Sequence, residues 1–145
     1  MPTTFLAALI ALLASTSVAA EPDVLTIQVS GAHNDTGHIG CALFRSATGF
    51  PFGDAHAMRL QDVTIAHGRG TCSFSGLPAG AYAVAVMHDE NNNAKLDTNF
   101  LGIPTEGFGF SNNAKAHTFS PASFDEARFS YGGGAVAQAV VLTYR

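Results

Sequence analysis

The sequence lacks several features that would define a function directly. It has no tryptophan, and only 12% of its 145 residues are charged. Its 7 Lys and Arg residues are outnumbered by 11 Asp and Glu residues and form no basic run. Nucleic-acid binding requires a cationic surface that displaces counterions, so nucleic acid is excluded as an expected partner. A hydrophobic content of 47% also excludes a disordered chain.

The motifs of the common enzyme classes are absent as well. The chain contains no G-x-S-x-G nucleophile elbow, phosphate-binding loop or dinucleotide fingerprint. Its 6 histidines have no zinc-ligand spacing. We therefore expect a non-catalytic protein. One enzymatic alternative is a hydrolase in which His88 works with Asp89 or Glu106 in general acid and base catalysis.

Long apolar runs are missing except at the amino terminus. An unbroken apolar run extends from Phe5 to Ala14, which is too short for a bilayer span but typical of a signal peptide. Val18 and Ala20 precede Glu21 at the positions where signal peptidase requires small residues. We expect a signal peptide over 1–20, a single domain over 21–145, and a periplasmic or secreted protein without a membrane span after cleavage.

Only two cysteines are present, Cys41 and Cys72. Both lie in predicted strands with an apolar residue two positions on, so both are expected to point inward. An even number of cysteines in an oxidising compartment favours a disulfide between them. The alternative is a pair of buried thiols on strands too far apart to be bridged.

Alternating apolar and polar residues predict β-strands over most of the chain. Leu25, Ile27 and Val29 alternate with polar residues, as in a half-buried strand. The segment 38–44 (HIGCALF) is apolar on both faces, which predicts a central strand. With further strands that include 116–119, we expect an all-β fold: a single antiparallel β-sandwich of immunoglobulin-like or prealbumin-like Greek-key type, with about seven to eight strands.

The segment 88–113 is predicted to be a long, ordered loop, because it contains several apolar residues that need burial. Oxygen-bearing side chains recur at its first, third, fifth and ninth positions counted from Asp89. Calcium takes six to eight oxygen ligands, and such a pattern supplies them on one loop. The predicted calcium ligands are Asp89, Asn91, Asn93 and Asp97 with the carbonyl of Lys95, completed by Asn99 or Glu106.

Two departures weaken the match to a calcium loop of the EF-hand type. Ala94 stands at position six in place of glycine, and Phe100 at position twelve in place of glutamate. The alternative is that the same Asn and Asp residues only form Asx turns.

Phenylalanine is concentrated in the second half of the chain. These rings predict either a groove for an apolar or sugar ligand or a small core beneath the long loop. The groove hypothesis centres on Phe108 and Phe110, with Asn112 and Asn113 as polar contacts, and His88 is a further candidate binding residue. The remaining rings considered are Phe100, Phe119, Phe124 and Phe129.

A longer run, GLPAGAYAVAVMHDENNNAKLDTNFLGIPTEGFGFSNNA over 76–114, strongly resembles the signature of DUF2141, a family of bacterial exported proteins of unknown function. The segments LTIQVSG, GHIGCALF, GFP and PASFDEARF extend the resemblance through most of the chain. It implies a secreted or periplasmic domain of immunoglobulin-like or transthyretin-like sandwich type and implies no activity. Family members usually carry glycine where this chain has Ala94. A backbone position with positive φ is unfavourable for alanine, because alanine has a Cβ atom.

The expected function is therefore that of an exported, monomeric binding or accessory module. Its partner would be an unknown ligand or another envelope protein, and calcium would stabilise its loop. A purely structural envelope protein is the remaining alternative, and it predicts no pocket near the loop.

Overall fold

A computed structural model of the protein describes residues 13–145. The predicted signal peptide lies mostly outside the described residues. Residues 13–23 are exposed and form no helix or strand, and the first strand begins at Val24. Within the described chain, no helix is long and apolar enough to cross a membrane.

Eight strands in two sheets make up the domain, which confirms the prediction of an all-β sandwich. One sheet has three strands in the order β4-β1-β8, and the other has the order β3-β2-β5-β6 with β7 paired to the start of β5. The strands are β1 Val24–Ser30, β2 His38–Phe44, β3 Arg59–Val63, β4 Gly70–Ser75, β5 Gly80–Asp89, β6 Phe108–Phe110, β7 Phe129–Tyr131 and β8 Ala135–Val141.

One strand pair departs from the predicted antiparallel arrangement. β8 runs parallel to β1, with Val24 opposite Ala135, whereas the other pairs of strands are antiparallel. Parallel neighbours need a connection that crosses between strands. Here the chain leaves β7 in the larger sheet, passes Gly132–Gly134, and enters β8 in the smaller one. The main-chain N–H and C=O of Gly134 hold this crossing to the Asp23 carboxylate and the N–H of Val24.

Both faces of the larger sheet are buried, because strands β2 and β5 carry apolar side chains on each face. Their inner face packs against β1 and β4 to form the main core, which includes Ile27, Leu43 and Val84. Their outer face lies under a second core formed with Phe108, Phe110 and the loops around it. The second core contains only part of the small core predicted as the alternative to an aromatic groove, because Phe100 and Phe119 are exposed.

The disulfide between Cys41 and Cys72 is confirmed. It joins β2 to β4, and therefore the larger sheet to the smaller one, with the Cα atoms 6.5 Å apart. Both cysteines are buried in the main core. The bridge thus crosses the sandwich through its apolar interior.

Two boundaries differ from the sequence-based prediction. The predicted loop 88–113 contains strand β6, and β5 continues through Asp89, so the irregular part is shorter. Residues 116–119 form no strand. Ala116 packs against the second core, and the chain then leads into α1, a single helical turn over Phe124–Ala127. Its capping box pairs Ser123 with Glu126.

Candidate functional site

His88 lies at the end of β5 on the face that points into the main core. The strand period of two places it after Tyr82, Val84 and Val86, and its side chain is fully buried. Its Nε2 is 2.8 Å from the carbonyl oxygen of Thr36, and its Nδ1 is 2.6 Å from the Tyr144 hydroxyl.

These partners occupy both nitrogens of the ring. A carbonyl oxygen only accepts, so Nε2 of His88 donates and Nδ1 accepts from the Tyr144 hydroxyl. The Tyr144 oxygen in turn accepts from the N–H of His33 at 3.1 Å. Burial raises the pKa of Tyr144, which keeps its hydroxyl protonated for this role. Both nitrogens of His88 therefore serve in structural hydrogen bonds.

The adjacent Asp89 is also fully buried and holds the start of the loop. Its Oδ1 accepts from the N–H of Asn93 at 3.1 Å, and its Oδ2 accepts from the N–H of Ala94 at 2.8 Å. Glu106 acts in the same way from the far side of the loop. Its two oxygens accept from the N–H groups of Glu90 and Asp97, at 3.0 and 3.1 Å. Two buried carboxylates thus replace the regular hydrogen bonds that the loop backbone lacks.

A polar cluster forms above Asp89. The amide nitrogens of Asn91 and Asn93 donate to the two oxygens of Asp97, at 2.6 and 2.8 Å. The amide oxygens of the same residues accept from the N–H groups two positions further on, which makes two Asx turns. The structure therefore brings together the four side chains of the predicted calcium pattern.

The backbone at Ala94 has the left-handed conformation, with φ of 62°. This is the position at which calcium loops of the EF-hand type place glycine for the sharp turn. The donor set of carboxylate, amide and carbonyl oxygens has the hard character that calcium requires. Among residues 13–145, no group of three or more His, Cys, Asp or Glu side chains is placed to hold a metal. A calcium ion would therefore depend on the Asn amides and the Lys95 carbonyl.

The other predicted binding residues are not part of this cluster. Asn99 accepts from the N–H groups of Leu101 and Ile103 and organises the second turn of the loop. Asn112 donates to the carbonyl of Arg128, and Asn113 accepts from the N–H of Val141. Each of these Asn side chains is thus used to hold backbone in place.

His38 is a site residue that sequence reasoning missed. Its Nδ1 is 2.7 Å from the amide oxygen of Asn92, and its Nε2 is 3.4 Å from carboxylate oxygens of both Asp62 and Asp89. The ring is therefore hydrogen-bonded to the loop through Asn92, whereas its buried Nε2 faces the two carboxylates without a hydrogen-bond partner among the described residues. The register of β2 against β5, which pairs His38 with Asp89, brings them together. That register cannot be read from spacing along the chain.

An open apolar groove of about 510 Å³ lies beside the loop. One wall is the segment 94–104 and the other is the segment 116–121, with Met87 and Phe108 between them. Leu101 is 67% exposed and Phe119 is 96% exposed at its rim. The expectation that the loop's apolar residues are all buried is therefore wrong. Phe108 and Phe110 are buried, whereas Phe100 is 95% exposed.

Two acidic residues beside the groove have shifted pKa values. Burial, and then the nearby Asp62 carboxylate, raise the pKa of Asp54, which lines the groove. Hydrogen bonds from Ser123 and from the His117 ring lower the pKa of Glu126 to about 2. Because His117 is a wall residue, the 3.0 Å contact between its Nε2 and the Glu126 carboxylate ties that wall to α1.

The fold and site define a β-sandwich with a structured loop over one sheet face. Residues 27–139 match the DUF2141 family, described as an uncharacterized protein conserved in bacteria. The match covers most of the chain, and the chain belongs to this family. No match was found among the curated proteins or among the solved structures. The likeness to immunoglobulin or transthyretin domains stays a prediction.

Proposed function

We propose that the protein is an exported, non-catalytic binding module whose ligand occupies the groove between 94–104 and 116–121. The observation that carries this proposal is the groove itself, which lies against the loop. A purely structural envelope protein was expected to have no pocket there. The volume of about 510 Å³ falls in the range of small-molecule sites. Export is supported by the leader-like residues 1–20 and by a disulfide, which persists in oxidising compartments.

The hydrogen bonds of His88, Asp89 and Glu106 do not support the alternative that the protein is a hydrolase. General base catalysis needs a nitrogen or carboxylate within hydrogen-bond reach of a substrate. Both nitrogens of His88 are taken by Thr36 and Tyr144, and His88 does not line the groove. Both carboxylates named with it, Asp89 and Glu106, are occupied by backbone N–H groups.

The groove is tested with the fluorescent probe N-phenyl-1-naphthylamine, which is neutral and brightens in apolar sites. We expect saturable fluorescence enhancement with the folded protein and weaker binding by the Phe119→Ser variant. Phe100→Ser is the matched control, because Phe100 is 95% exposed and Phe119 96% exposed but only Phe119 lines the groove. Equal effects of the two substitutions, or no saturable binding, would contradict the proposal.

The proposal includes calcium as a stabiliser of the loop. The support is the cluster of Asp89, Asn91, Asn93 and Asp97 together with the left-handed backbone at Ala94. With so few carboxylates, the expected Kd lies in the weak extracellular range of roughly 0.1–1 mM. Calcium at roughly ten times its Kd would add about 1.4 kcal/mol and raise the Tm by several degrees.

The measurement is a thermal unfolding series with EDTA, magnesium or calcium at constant ionic strength. We expect a calcium-specific rise in Tm that Asp97→Asn abolishes and Ala94→Gly enlarges. Asp125→Asn is the control, because the Asp125 side chain is 81% exposed and lies on α1. A Tm that does not depend on calcium would contradict calcium binding and show that the cluster serves only as a set of Asx turns.

A further inference from the structure

The groove carries charge of opposite sign at its two sides. Asp54 lies on the side towards β2 and β3, where the groove adjoins a smaller cavity of about 100 Å³ that Gly40 and Leu60 also line. Arg145 lies on the side towards β6, where the groove adjoins a third cavity of about 490 Å³ that Phe108 and Thr143 also line. A bound molecule would therefore meet the Asp54 carboxyl group at one end and the Arg145 guanidinium group at the other.

Among the residues described, no carboxylate side chain lies within ion-pair distance of the Arg145 guanidinium. The Arg145 guanidinium donates to the carbonyl oxygens of Ala116, His117 and Thr118 at 3.0–3.4 Å and lies 5.9 Å from the centre of the Phe108 ring. All of these partners are uncharged. Neither Arg145 nor Lys95, the other cation in the lining, takes part in an ion pair among the residues described.

His117 differs from these two cations. It also lines the groove, but its ring is paired with Glu126, so any positive charge it carries already has a partner. Lys95 and Arg145 are therefore the basic side chains of the lining that have no described carboxylate side chain as an ion-pair partner, and they lie at the border of an otherwise apolar surface. Leu96, Leu101 and Ile103 supply that surface from the loop, and Phe119 supplies it from the opposite wall.

We propose that the groove binds an amphipathic aliphatic carboxylate, with its hydrocarbon chain between the two walls and its carboxylate at Arg145. This inference rests on the proposed function, because it names the ligand class of the same groove. A carboxylate would complete a charge-assisted hydrogen bond with the guanidinium, which is stronger than a bond to a neutral group. The acidic Asp54 disfavours the opposite orientation, since it would face the carboxylate of the ligand.

The test is displacement of N-phenyl-1-naphthylamine by dodecanoate and by 1-dodecanol, each below its aggregation concentration. The two competitors have the same chain length and differ in the charged end. We expect dodecanoate to displace the probe at a concentration about tenfold lower than 1-dodecanol does, as a charge-assisted hydrogen bond implies. Arg145→Gln is expected to remove this advantage without changing displacement by 1-dodecanol, and Arg145→Lys to retain part of it.

Arg69→Gln is the matched control, because Arg69 is exposed on the turn between β3 and β4 and lines none of the three cavities. It changes the net charge by the same amount and is expected to leave the preference for dodecanoate intact. The Lys95→Gln variant measures how much Lys95, the second cation, contributes to the preference for dodecanoate. Circular dichroism and Tm of each variant verify that the domain is folded.

The outcomes separate the two levels of the proposal. If the probe binds and the acid and alcohol compete equally, the ligand class is overturned and the groove stands. The preference for dodecanoate over 1-dodecanol could survive in the Arg145→Gln and Lys95→Gln variants, or disappear in Arg69→Gln. Either result would contradict the placement of the ligand's carboxylate at Arg145. If the probe does not bind at all, both the groove and its ligand class are overturned.

Discussion

At the scale of single residues, the Tyr144 hydroxyl joins the end of the chain to the buried His88. Tyr144→Phe would remove the donor to His88 Nδ1 and the acceptor for the N–H of His33. A buried acceptor left without a partner costs about 1–3 kcal/mol. We expect the free energy of unfolding to fall by that amount, measured by urea denaturation with the slope unchanged. An unchanged midpoint would contradict a structural role for this pair.

Gly107 belongs to the same packing. A Cβ at Gly107 would lie 2.4 Å from the Tyr144 ring, so the ring can cover the strand only where a side chain is missing. Gly37 has an equivalent role at the other side of His88, because its φ is 74° and a Cβ would lie 1.9 Å from the carbonyl oxygen of Asp89. The loop end therefore depends on two close backbone approaches.

The same scale shows what residue spacing can predict and what it cannot. The presence of alanine at position 94 in place of glycine was expected to count against the turn of a calcium loop, yet the structure has the left-handed backbone there, with φ of 62°. His38 could not be found in this way. Its contacts with Asp62 and Asp89 depend on the pairing of three strands, and a histidine at a strand start has no distinguishing local pattern.

At the scale of elements, helix α1 and the groove wall are joined by Glu126. Its pKa is lowered from 4.5 to about 2, first by the Ser123 N–H and then by the His117 ring. A carboxylate with a depressed pKa stabilises the folded state above its unfolded pKa and loses that contribution as pH falls through the folded value. We therefore expect Glu126→Gln to lower the Tm above pH 4.5.

The difference in Tm between wild type and Glu126→Gln should then shrink between pH 4.5 and about 2, because the protonated Glu126 resembles glutamine. Parallel thermal scans of the two proteins measure this difference. Asp125→Asn serves as the control, since Asp125 is one position away and makes only an exposed ion pair with Arg128. A gap that stays constant down to pH 2 would contradict the assignment.

Elements with a clear period of two were predictable, and elements defined by tertiary contacts were not. β1 alternates in burial as its sequence alternates, and β2 is buried on both faces as its composition predicts. Strand β6 is only three residues long, and it exists because Phe108 and Phe110 pair with β5. The segment 116–119 has strand-like composition, but Ala116 packs against the second core and the segment pairs with none of the described strands.

At the scale of the whole molecule, the groove combines segments that are far apart in the sequence. Its walls come from 94–104 and 116–121, and the Phe52 side chain comes from a third segment. The sequence indicated that the loop is ordered and apolar, which the structure bears out for Phe108 and Phe110. It could not indicate that Leu101 and Phe119 stay exposed on facing walls, because that depends on how two loops cover the same sheet.

The disulfide is the covalent link between the two sheets, and its removal should affect the whole domain. Cys41 and Cys72 are separated by 31 positions and lie in the main core. Closing a loop of this size restricts the unfolded chain and contributes about 3–4 kcal/mol in the chain-entropy model. We expect dithiothreitol to lower the free energy of unfolding by that amount, measured from guanidinium denaturation curves of oxidised and reduced protein.

A Cys41→Ala/Cys72→Ala variant provides the control, because dithiothreitol should not change its denaturation midpoint. An equal midpoint for oxidised and reduced wild type would contradict a stabilising role for the bridge. The expected loss of unfolding free energy also bears on the compartment in which the protein can be stable. Most domains are stable by only about 5–15 kcal/mol, so a loss of this size leaves a much smaller margin in a reducing compartment. The bridge links β2 to β4 directly. The stability lost on reduction therefore affects the packing of the two sheets, on which the loop and groove depend.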